Sequence, residues 1–315
     1  MRHRQATPVT RRGLASDTGI GARLAVERPH RGRGPIAGGL ALSVPGIILA
    51  FALALLAGIT AARAEHQPVD LELVLAVDVS GSVDTVEARL QREGYVEAFR
   101  DPEVVRAIRS GMVGRIAVLY VEWASQHENR VVLDWQVVDG PATASAFADR
   151  LAAQPFLRGR RTSIAAAIEF ALPYFGTAYE GTRRVIDVSG DGPNNDGPPV
   201  APARDRAVAA GVVINGLPII NERQFTWGLP NLKELDLYYR DCVIGGPGAF
   251  YIVAEDFTTF AAAVKRKLVL EIAGRTPAVQ YAQLDRPMVD ADGRIDCLAG
   301  EKLLEMYRRR IEGPN

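Results

Sequence analysis

Residues 78–82 read "DVSGS", a stretch that sets an acid at Asp78 and hydroxyls at Ser80 and Ser82 on alternate positions. Two more oxygen donors stand in comparable turns further on: Thr162 in "RGRRTSI" and Asp191 in "VSGDGPNND". All five are hard oxygen ligands. They suit Mg2+, which takes octahedral oxygen coordination at about 2.0–2.1 Å and keeps some of its waters; Mn2+ and Ca2+ accept the same donor class. Gly81 lets the loop turn tightly enough for both serine hydroxyls to face one ion. A plainer reading makes Asp78 and Ser80 caps of the following helix, but it leaves Thr162 and Asp191 unexplained.

Other chemistry is poorly supplied. Beyond residue 65 the chain holds only His66, at the start, and His127, in a polar turn, so a Ser-His-Asp hydrolase lacks its base. No stretch forms a G-x-S-x-G elbow, and zinc sites lack His and Cys. Metal-assisted phosphoryl transfer keeps a place, with Arg158, Arg160 and Arg161 available for the phosphoryl charge. "DADGRID" (290–296) has calcium-loop spacing without the closing Glu and reads as a solvated turn. Asn194, Asn195 and Asp196 read as turn residues, with contact to the residues that hold the ion as the lesser alternative, and Trp123 and Trp135 as packing residues on a hairpin.

Those donors need a scaffold, and the pattern supplies one. "LELVLAVD" (71–78) is an apolar strand that ends in the acid, and "DTVEARLQREGYVEAFR" (84–100) is a helix with Asp84 as N-cap. "RIAVLYVEWA" (115–124) and "RVVLDWQVV" (130–138) are strands joined by "SQHEN" as a hairpin. Helices follow over 142–154 and 164–175, then a strand at 183–191, a helix from "VAPARDRAVAAG", and a strand at 212–220. "NLKELDLYYRDCVIGG" is a helix, "AFYIVAE" (249–255) the last strand, and "DFTTFAAAVKRKLVLEIAG" a closing helix. This alternation predicts an α/β fold: a doubly wound, mainly parallel sheet with one antiparallel edge strand and helices on both faces. In such sheets ligands bind beyond the carboxyl ends of the strands, where Asp78 and Asp191 fall.

The start of the chain reads differently. Residues 1–64 hold nine Arg against Asp17 and Glu27. Removing these from the 37 of each sign leaves 28 basic and 35 acidic side chains, an acidic body that argues against a nucleic-acid partner. An uncharged run over about 39–60 followed by "ARA" at 62–64 has the form of a secretory signal with Glu65 as first mature residue. An uncleaved membrane anchor, a start downstream of Met1, and a loose twin-arginine signal in "TRRGLA" are the alternatives. The expected organisation is a leader (1–64), one domain (66–274) and a tail (275–315) with a short helix at 300–310, in an exported protein, periplasmic or secreted. Cys242 and Cys297, the two cysteines of the chain, can pair in an oxidising compartment and staple the tail to the domain.

Asp78-x-Ser80-x-Ser82, followed by Thr162 and Asp191, resembles the metal-ion-dependent adhesion site of von Willebrand factor A-type domains, over roughly residues 69–274. "FRDPEVVRAI", "VEWA", "VSGDGPNN" and "YYRDCVIGGPGAF" resemble more closely a group of secreted bacterial A-like proteins known only as a domain of unknown function. The resemblance implies a divalent cation with Ser80, Ser82 and Thr162 as direct ligands and Asp78 and Asp191 binding directly or through water. It implies a protein or ligand carboxylate as the partner, bridged by the metal, and a binding module rather than an enzyme. A Mg2+-dependent phosphoryl-transfer enzyme, or an envelope assembly module whose metal site is vestigial, are the competing readings.

Overall fold

The computed structural model describes residues 66–220, 232–277 and 292–312. The leader reading of residues 1–64 lies outside them. The sheet runs in the order β3-β2-β1-β4-β5, with β1 at Gln67–Asp78, β2 at Ile116–Trp123, β3 at Asn129–Val138, β4 at Tyr179–Gly190 and β5 at Val213–Pro218. β1 pairs in parallel with β2 and β4, β4 with β5 likewise, and only the edge strand β3 runs antiparallel. The chain therefore leaves β1 toward one edge, returns, and builds β4 on its other side. That reversal lies between β1 and β4, where a doubly wound sheet opens a crevice beyond its strand ends.

The central strands are apolar on both faces because helices cover both. Leu71, Leu73, Leu75 and Val77 of β1 point into one cluster. Helices α1 (Thr85–Arg100), α2 (Pro102–Arg109), α3 (Pro141–Ala152) and α7 (Phe260–Ile272) supply the rest of it. Val74 and Ala76 point the other way, toward α4 (Ile164–Ala171), α5 (Val200–Ala209) and α6 (Leu235–Tyr238), whose end continues as a π-helical turn over Tyr239–Val243. Each leucine or valine taken fully out of water contributes about 1.5–3 kcal/mol. Trp123 is fully buried in the second cluster, and Trp135 packs its edge on Phe175 and Tyr179, as packing residues should.

Two predicted elements differ. The strand expected at 249–255 is reduced to isolated bridges, Gly216 with Tyr251 and Ile219 with Ala254. Asn215 Oδ1 accepts from the Phe250 N–H at 3.0 Å, taking up a backbone donor with a side chain. The helix expected to run through "YYRDCVIGG" stops at Val243. The tail helix is present as α8 (Ala299–Glu312), and Cys242 is bonded to Cys297.

Candidate functional site

Asp78 ends β1 and is fully buried, as is Ser80. The capping reading fails here, because α1 has its own cap. Asp84 Oδ1 accepts from the Val86 and Glu87 N–H groups at 2.7 and 2.9 Å, and Glu87 returns the bond to Asp84 N–H. Asp78 Oδ1 instead accepts from the Ser80 N–H at 2.7 Å, folding the loop back over the strand end. Gln91 from α1 holds the Asp78 carbonyl at 3.1 Å.

This turn aligns the hydroxyls. Ser80 Oγ and Ser82 Oγ lie 2.9 Å apart, and Ser82 Oγ donates to Asp191 Oδ1 at 2.5 Å, bridging 109 residues of sequence. Asp191 sits just past β4, on the far side of the sheet's reversal. Thr162 lines the same cleft as Ser82 and Gly192. Its hydroxyl lies 3.8 Å from the position a Cβ on Gly192 would occupy. Close approach between the two loops depends on Gly81: its N–H donates to the Arg160 carbonyl at 3.0 Å, and a Cβ there would fall 2.7 Å from that oxygen.

Asn194 and Asn195, which read as turn residues, do more. Asn195 Oδ1 accepts from the Thr162 N–H at 3.1 Å, while the Thr162 carbonyl accepts from the Asn195 and Asp196 N–H groups at 2.8 and 3.2 Å. Asn194 Oδ1 takes the Ala165 N–H at 3.1 Å. Together they latch the Thr162 loop onto the loop after β4. Gln91 and Tyr239 are the neighbours that sequence reasoning missed, since a polar residue two turns into a helix carries no mark of its target. For Asn194 and Asn195 the lesser of the two readings, contact with the site's loops, is the one the structure has.

The electrostatics are unbalanced. Burial, and then the Asp191 charge, hold the Asp78 carboxyl well above the usual carboxylate range. Asp78 Oδ2 is buried and accepts no hydrogen bond, and the buried Tyr239 hydroxyl has no partner either. Burial, followed by the charges of Asp78 and Asp191, pushes the Tyr239 phenol up. No group of three or more His, Cys, Asp or Glu side chains suited to a metal occurs among the described residues. Two carboxylates separated by two hydroxyls, with an orphaned carboxylate oxygen on Asp78, still form a set of hard oxygen donors. A hard divalent cation fits that donor set.

A doubly wound α/β domain with a hydroxyl-rich pair of carboxylates at its switch point is therefore the class defined by this fold and site. The chain belongs to the family described as "Protein of unknown function (DUF1194)", whose model matches residues 68–276. No curated protein matches it. Among solved structures it is similar to proximal thread matrix protein 1 from the mussel byssus with a zinc-occupied MIDAS motif (14% identity, 67% of this chain and 49% of that chain, TM-score 0.45). It is also similar to a von Willebrand factor type A protein from Catenulispora acidiphila (15%, 66% and 43%, TM-score 0.46). A third is the vWF domain of the type V pili tip protein Mfa5 from Porphyromonas gingivalis (9%, 69% and 99%, TM-score 0.44). The matched part spans about half the length of the mussel protein. At these scores the likenesses add nothing to what the chain's own topology and donor set provide.

Proposed function

We propose that this chain is an exported binding module that holds one divalent cation, Mg2+ by preference, and uses it to bind a carboxylate of a protein or ligand. Ser80, Ser82 and Thr162 would hold the ion directly, with Asp78 and Asp191 binding it or orienting its waters. When bound, the ion supplies a Lewis-acidic position exchangeable for a partner's carboxylate. The chain's own residues do the rest. Neutral hydroxyls, rather than more carboxylates, leave positive charge for the partner. The Asn194–Asn195 latch sets the Thr162 loop, and the acidic body repels acids that miss the site. The observation that carries the reading is the chain from buried Asp78 and Ser80 through half-buried Ser82 to Asp191, in which one Asp78 carboxylate oxygen is orphaned and no described cationic side chain is bonded to that carboxyl.

Export is supported by the basic and apolar composition of residues 1–64 and by the Cys242–Cys297 bond, which persists in oxidising compartments. No helix among the described residues is long and apolar enough to cross a membrane. The proposed organisation remains leader, domain over 66–274, and stapled tail. A phosphoryl-transfer reading has one specific observation in its favour: Arg158, Arg160 and Arg161 line the cleft beside Ser82 and Thr162. Calorimetry separates the readings. One Mg2+ should bind per chain, acetate should bind only with the metal present, and phosphate monoesters should stay intact. Turnover of a phosphate monoester would favour the enzyme, and no Mg2+ binding would refute both.

A further inference from the structure

The metal-site loops form only one wall of the cleft; α8 forms the other. The cleft has a volume of about 880 Å3, within the range of small-ligand sites. From the domain it is lined by Ser82, Thr162 and the arginines 158, 160 and 161, and from α8 by Leu303, Tyr307 and Arg308. α8 is anchored against this face. The Cys242–Cys297 bond closes two residues before it begins, and Glu301 accepts from Asn194 Nδ2 at 2.8 Å. Gly300 packs so closely on the Asn194 carbonyl that no Cβ would fit. The latch that sets the Thr162 loop is thus the same residue on which the tail helix rests.

The charge of this cleft opposes that of the body. Four arginines face it, and Glu312 is the only acidic lining residue among those described. Arg158 donates to the Gly81 carbonyl at 3.2 Å. Arg160, Arg161 and Arg308 make no side-chain ion pair among the described residues, while arginines elsewhere, such as 92, 130, 184 and 240, are matched to acids. Four guanidinium groups around a cleft with one lining acid favour bidentate carboxylate partners, although Arg160 also lies close enough to Glu128 to help lower its carboxyl pKa.

We propose that the cleft between the metal-site loops and α8 binds a ligand carrying at least two carboxylates: one at the cation, another on the arginines 160, 161 and 308. Leu303 and Tyr307 cover the apolar spacer between them. The proposal rests on the metal reading above and adds a second anionic subsite to it, built in part by the stapled tail. A free polycarboxylate or an acidic polypeptide segment carries the same chemistry.

The test uses the full mature chain with its disulfide intact and three probes in saturating Mg2+: acetate, tricarballylate, and a short peptide with two Glu flanking one Leu. The expected result is that tricarballylate or the peptide binds at least tenfold tighter than acetate. Arg160→Ala with Arg161→Ala, and separately Arg308→Ala, should each weaken that binding about tenfold, the scale of one charged hydrogen bond. Arg308→Lys should keep part of it, and none of the variants should weaken Mg2+ binding. Tightening confined to tricarballylate assigns a free small acid, and tightening confined to the peptide assigns a polypeptide. Equal affinity for all three probes, or arginine variants that change nothing while Mg2+ still binds, overturns the second subsite and leaves the metal reading standing. Loss of Mg2+ binding in the wild type overturns both.

Discussion

Two clusters of buried carboxylates lie in this domain, one at the carboxyl end of the sheet and one beneath it, and they are completed differently. Beneath the sheet, Asp187 of β4 meets Lys267 Nζ of α7 at 2.6 Å, and Glu271, one turn on, meets the same amine at 3.1 Å. Asn215 Nδ2 adds a bond to Glu271 at 2.5 Å. The Lys267 amine also lies 5.4 Å from the centre of the Phe250 ring. At the sheet end, Asp78 and Asp191 are bridged through serines, and among the described residues no lysine or arginine is bonded to Asp78. The interior cluster brings its own cation, whereas Asp78 is bonded to no described lysine or arginine, and the proposed function puts a cation from solution there. Burial of charge is tolerable only when it is matched, so under that reading the difference separates a structural cluster from a site.

The largest effect expected from that contrast is on the interior side. Lys267→Met leaves Asp187 and Glu271 buried without their amine and should cost about 3–5 kcal/mol of stability in a urea unfolding experiment, with or without Mg2+. At the sheet end the metal itself should matter. At one hundred times its Kd, Mg2+ should stabilise the domain by about 2.7 kcal/mol, and EDTA should remove the gain. Third in size, Asp78→Asn should abolish that gain while leaving the metal-free protein as stable as wild type or about 1 kcal/mol more so, because an amide can donate where the orphaned oxygen accepted nothing. Removing a charge thus destabilises one cluster and not the other; equal losses at both would erase the distinction.

The interior cluster also predicts a pH slope. Burial, with Lys267 opposing and Glu271 reinforcing it, raises the Asp187 carboxyl to about 7. Its folded pKa lies above its unfolded one, so the folded state holds the proton more tightly between the two. The contribution is complete below about pH 4, is lost as pH rises toward about 7, and is flat above. Asp187→Asn should remove that part of the slope from unfolding curves measured across the interval, and an unchanged slope would place the titrating group elsewhere.

How much of this was legible in the sequence follows the same divide. The terminal cluster announces itself because Asp78, Ser80 and Ser82 fall in one turn at the mouth of a buried strand, where polar groups are costly unless something binds them. Thr162 and Asp191 were legible as element ends. The interior cluster was not, since nothing in the helical spacing of Lys267 and Glu271 marks them as buried against Asp187. The last strand failed for a related reason: Asn215, a polar residue inside a strand, uses its side chain on the Phe250 backbone, and no local pattern records that. The tail was foreseen as stapled, and the bond is there, but nothing in "AGEKLLEMYRRRIE" tells that it walls the cleft.

The most direct test of the account is anomalous diffraction from crystals of the mature chain grown with Mn2+. A single peak within about 2.5 Å of the hydroxyl oxygens of Ser80, Ser82 and Thr162 is the expected result. A peak elsewhere, or none at that position with Mn2+ in excess, would contradict it.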